Sequence, residues 1–149
     1  MHAFVYSLSF TLTILAPILL ALWLRRYFRV SWFLFGIGSL TFIGSQIVHL
    51  PMLNLLSKWG VLPASTGPLE GAALWQSAAI LGLAAGICEE PARALAFWLL
   101  KRSRHAESGI MLGLGHGGIE AMILVGIFGA GSLAQLFALR GQDLSTLPL

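Results

Sequence analysis

Six side chains of this 149-residue chain could do proton or metal chemistry from within apolar sequence: His49, Glu89, Glu90, Arg93, His116 and Glu120. Three fall together in "GICEEPARALAFW", which begins at Gly86. Glu89 and Arg93 are four apart and Glu90 and Arg93 three apart, so on a helix either carboxylate can reach the guanidinium. One arginine cannot neutralise both carboxylates, and a carboxylate held away from water suits general acid–base work. His116 and Glu120, in "GLGHGGIEAMIL" from Gly113, are four apart and share a helix face. Two histidines and a glutamate could supply three ligands and leave a position for water, as in hydrolytic zinc sites. Against that stands the absence of an HExxH pair, since His116 and Glu120 give only two ligands on one helix. The cofactor reading is therefore open between zinc and none. Cys88, beside Glu89, reads as a small buried residue rather than a nucleophile.

The elements that hold these groups lie in lipid. Hydrophobic residues make up 57% of the chain and charged residues 10%, against about 25% charged in an ordinary soluble domain. Four apolar runs, 4–24, 30–59, 72–100 and 110–139, each reach or exceed the roughly 20 residues a helix needs to cross a bilayer. They lack the ten-residue alternation of a membrane barrel. The predicted fold is all-α: one polytopic membrane domain over 1–149, with four transmembrane helices at about 4–24, 30–57, 72–100 and 110–139. Arg25, Arg26 and Arg29 follow the first run, and Lys101, Arg102 and Arg104 follow the third. The connection 60–71 has no basic residue, and Pro63 and Pro68 mark it as a plain loop. The positive-inside rule puts both basic loops in the cytoplasm and both termini outside. In the first run positive charges follow the apolar stretch and none precedes it, so it reads as an uncleaved anchor. The net charge of +3 carries no nucleic-acid signal. A cell membrane, of the bacterial inner type, is the expected location.

The third run carries a cost. Its nine Leu, Ile and Phe residues return roughly 3–5 kcal/mol on insertion, while its charges cost roughly 8 kcal/mol or more. Ionisable groups at such depth are functional candidates by default. Pro91 removes a backbone donor and disfavours helical geometry at Glu90, so a kink or break is expected near Glu89–Glu90. Gly82/Gly86 and Gly113/Gly117 form GxxxG pairs, which predicts close packing of helices three and four with their polar faces together. Glu89 lies roughly 18 Å along a helix from Lys101, and Glu120 roughly 16 Å from Gly109, on the same side. His49 comes roughly 30 Å after Arg29, nearer the outer face, with Pro51 close behind.

"CEEPARALAFWLLKR" followed by "GLGHGGIEAMIL", with "SQIVHLP" upstream, resembles the YhfC family of membrane peptidases. That family is similar to the larger CAAX-protease, bacteriocin-processing and PrsW-like group. The resemblance covers about Ser45 to Leu124 and implies intramembrane proteolysis. Glu89, Glu90 and Arg93 match the glutamate-pair element, His49 and His116 the histidine elements, and Glu120 the family's Gly-His-Gly-Gly-x-Glu mark. It also implies further membrane helices after that mark, so the chain reads as a minimal or a truncated version. The leading expectation is a peptidase in which Glu89 or Glu90, with Glu89 favoured, takes a proton from water. His116 stabilises the oxyanion or holds the water, Arg93 positions one glutamate, Glu120 orients His116 and His49 closes the site. Its partners are membrane lipid and a peptide or membrane-protein substrate, with a homo-oligomer left open and no nucleic acid. The competing readings are a proton-coupled or small-molecule transporter, and a non-catalytic scaffold or immunity protein.

Overall fold

In lipid every backbone polar group must be satisfied within its own segment, so long apolar runs fold as helices. The computed structural model describes residues 2–62, 69–101 and 105–139, and among them no strand occurs. Helix α1 covers His2–Phe28, α2 Trp32–Lys58, α3 Gly71–Leu99 and α4 Ala106–Glu120. A π-helical segment, Ala121–Ile127, then leads into α5, Phe128–Ala138. Four stretches are long and apolar enough to cross a membrane: Phe4–Phe28, Trp32–Lys58, Gly71–Leu99 and Ala106–Gln135. The protein is a multi-pass membrane protein. Pro63, Pro68, Arg102, Arg104 and the tail 140–149 lie outside the described residues.

Local chemistry sets the ends. Arg29 takes a left-handed conformation (φ 57°) and turns the chain from α1 into α2. Ser31 then caps α2 by accepting from the Phe33 amide at 3.2 Å. At the far end of α2, Gly60 adopts φ 70°, and the Gly60 and Val61 amides donate to Ser57 and Leu56 carbonyls. Pro91 does not break α3, which runs unbroken from Gly71 to Leu99, and Pro51 likewise lies inside an unbroken α2. A proline withdraws one ladder bond, a loss the surrounding turns of a membrane helix absorb. The irregularity lies instead in the fourth span, where wide turns begin directly after Glu120.

Helix α2 is the centre of the bundle. It packs along α4 on one side and on α3 on the other, while α1 covers α4, the π-helical segment and α5. The close-packing glycines are not the GxxxG pairs: Gly82, Gly86, Gly113 and Gly117 have open space where a side chain would stand. A Cβ on Gly38 would collide with the Leu112 carbonyl, and one on Gly115 with the Phe35 carbonyl, so α2 and α4 touch backbone to backbone. On Gly118 a Cβ would stand 2.7 Å from Pro17 Cβ of α1. Helices three and four therefore do not pack on their GxxxG residues; each lies along α2.

The burial pattern is that of a lipid-solvated chain. Large apolar side chains such as Phe4, Trp23, Ile47, Trp75 and Leu83 face outward. A small core of Ala21, Leu24, Val30, Leu34 and Met111 closes one end. The buried polar groups are Ser45, His49, Ser77, Glu89 and His116.

Candidate active site

The fold sorts the two adjacent glutamates. Neighbours on a helix point about 100° apart, so one can face the bundle while the other does not. Glu89 faces inward and is 7% exposed. Glu90 faces out, its side chain 68% exposed, and takes the Arg93 guanidinium at 2.5 Å. Arg93, which the spacing allowed to reach either carboxylate, thus pairs with Glu90, on the rim.

Around Glu89 three helices converge. From α4, His116 is 1% exposed and its Nε2 lies 3.1 Å from Glu89 Oε2. From α2, His49 is buried and its Nδ1 lies 3.7 Å from the other oxygen, Oε1. Among the described residues neither His49 ring nitrogen has a hydrogen-bond partner. Glu120, half-buried one turn beyond His116, completes the group: one ligand atom each from Glu89, His116 and Glu120 lie within 4.8 Å of one another. The structure therefore brings together four of the six residues singled out in the sequence, and sets Glu90 and Arg93 beside them, facing away.

Two further α2 residues hold the His116 ring. Thr41 Oγ1 lies 2.8 Å from His116 Nδ1, and Phe42 packs edge-on against the imidazole with ring centroids 5.6 Å apart. Sequence reasoning missed Thr41. A signal for it exists: Thr41, Ser45 and His49 recur every four residues, a polar stripe on one face of an otherwise apolar helix. Thr41 also lines a groove of about 440 Å³ between α2 and α3, walled by Ser45, Val48, Cys88, Ala92 and Ala96.

The donor set suits a divalent ion. Atoms bound to one zinc at about 2.0–2.2 Å lie no more than about 4.4 Å apart, and about 3.5 Å apart in a tetrahedron. The Glu89–His116 pair meets that limit at 3.1 Å, and the set of three at 4.8 Å needs a side-chain adjustment of on the order of 1 Å. The unpartnered nitrogens of His49 sit beside the same carboxylate. Two histidines with a glutamate is a ligand set hydrolytic zinc sites use, and His49, His116 and Glu89 are residues of those types.

The family described as YhfC intramembrane metalloprotease matches residues 12–146. The uncharacterized membrane protein YhfC of Bacillus subtilis (strain 168) is 32% identical over 150 residues, covering 95% of this chain and 54% of that protein. The chain thus spans about half the length of the curated relative it matches. No solved structure matches at the same stringency. With its inward glutamate and buried histidines between membrane helices, the chain belongs to the YhfC intramembrane metalloprotease family.

Proposed function

We propose that this protein is an intramembrane peptidase whose site is the hollow formed by Glu89, His116, Glu120 and His49. The observation that carries the reading is the convergence of three ligand atoms within 4.8 Å, on buried or half-buried side chains of membrane helices. Glu89, His116 and Glu120 would hold a divalent ion. Such an ion, when bound, supplies a readily deprotonated water and a positive charge for the carbonyl oxygen of the scissile bond.

The chain's own residues do the rest. Glu89 turns Oε2 to His116 and Oε1 to His49, so one oxygen can bind while the other takes a proton. His49, with no competing partner, receives that proton and delivers it to the leaving amine as the C–N bond breaks. The apolar helices around the hollow thin out competing water, which strengthens each electrostatic contact. Glu90 and Arg93 form a neutral pair at the rim and take no proton in the reaction. The substrate is a peptide segment lying in the membrane, and the basic loops face the cytoplasm, with both termini outside.

The test uses the purified chain in proteoliposomes with a panel of quenched transmembrane peptides. Wild type is expected to cleave at least one, and Glu89→Gln and His116→Gln to lose cleavage. Full cleavage by both variants ends this reading.

A further inference from the structure

We infer that Thr41 is a positioning residue that fixes a proton on His116 Nδ1 and so presents Nε2 as the nitrogen facing Glu89 and Glu120. This rests on the metal-site reading above for its consequence, but on hydrogen-bond geometry for its content. The Thr41 hydroxyl lies 2.6 Å from the Gly38 carbonyl oxygen and 2.8 Å from His116 Nδ1. A carbonyl can only accept, so the single hydroxyl hydrogen is committed to Gly38. The hydroxyl oxygen then has only lone pairs to offer Nδ1, and a contact of 2.8 Å requires Nδ1 to donate. With Nδ1 donating, Nε2 is the nitrogen that faces Glu89 Oε2, at 3.1 Å, and one proton lies between the two atoms, where a metal ion on Nε2 would replace it.

Three features make the arrangement a fixed one. The bond from Thr41 back to residue 38 is a local helical pattern that pins its rotamer. Gly38 lets α2 approach the His116 backbone closely enough for the hydroxyl to reach the ring. Phe42, the next residue, presses on the ring edge-on and limits its rotation. The same division of labour, one nitrogen donating to an oxygen while the other binds, orients the histidines of metal sites generally.

The experiment is nitrogen-15 NMR of histidine-labelled, chelator-stripped protein in lipid nanodiscs, with the His116 signals assigned by loss in His116→Gln. Wild type and Thr41→Ser are expected to carry the proton on Nδ1, and Thr41→Val to move it to Nε2. Cobalt(II) titration followed by visible absorption should find Thr41→Val weaker by roughly 10–100-fold, with Thr41→Ser within a few-fold of wild type. A wild-type His116 with bare Nδ1 overturns the inference even if Thr41→Val fails to fold, as does an unchanged proton position in a folded Thr41→Val. If wild type binds no cobalt while the Nδ1 proton still follows the hydroxyl, the positioning role stands and the metal-site reading falls.

Discussion

The tightest point of the bundle offers a sharp perturbation, Gly38→Ala. An added Cβ would stand 2.9 Å from both the His116 amide nitrogen and the Leu112 carbonyl carbon, and nearer still to the Leu112 oxygen. Comfortable contacts begin near about 3.5 Å, and the Leu112 oxygen, the nearest atom, sets the shift, so α2 and α4 must part by on the order of 1–1.5 Å. The clashing atoms are backbone, so no side-chain rotation relieves them. Overpacking of this kind costs about 1–3 kcal/mol. The same parting stretches the 2.8 Å Thr41–His116 bond, one turn further along α2, beyond useful length. Gly36 and Gly44 lie on the same helix with nothing within 4 Å of an added Cβ, so alanine there should gain about 0.5–1 kcal/mol from backbone entropy. The assay is reversible unfolding in mixed micelles, followed by helical circular dichroism, with all three variants in parallel. Gly38→Ala unfolding with the same free energy as Gly36→Ala and Gly44→Ala would refute the backbone contact between α2 and α4 as described.

Other expectations follow from the site. Glu90→Gln should retain most peptide cleavage and Glu89→Gln almost none, because only Glu89 faces the histidines; equal losses in proteoliposomes would argue against that division. Glu120→Gln should weaken cobalt binding by roughly 10-fold or more, read from the visible spectrum, if its carboxylate is a ligand. His49→Gln should bind cobalt with little change yet cleave slowly, a split that separates a proton carrier from a ligand. Cys88→Ala should leave cleavage near wild type, since the buried thiol lines the α2–α3 groove and carries no step of the proposed reaction.

The membrane spans were legible because apolar length is a strong signal: the expected runs 4–24, 30–57, 72–100 and 110–139 lie within a few residues of the helices observed. The site was legible in its residue types, because carboxylates and imidazoles at that depth have few structural excuses. Facing was not. The spacing of Glu89, Glu90 and Arg93 allows the arginine either partner, and only the direction in which α2 lies decides that it takes Glu90. The GxxxG pairs misled because four-residue spacing of glycines reports a smooth stripe, not what lies against it; the close contacts fall on Gly38, Gly115 and Gly118. Pro91 suggested a break that α3 does not have. Thr41 carried no signal by itself and becomes visible only as part of the stripe with Ser45 and His49.

The wide turns that follow Glu120 act as a spacer in angle as well as in length. They take in extra residues per turn; Gly126 within them and Gly129 beyond them meet Ile14 and Phe10 of α1. Wound instead as ordinary α-helix, the same seven residues would swing everything downstream by on the order of 100°. Glu120 would keep its aim while α5 lost its seat on α1. The segment therefore uncouples two fits that a uniform helix would force into one phase, leaving the chemical end of the span and its anchoring end separately adjustable.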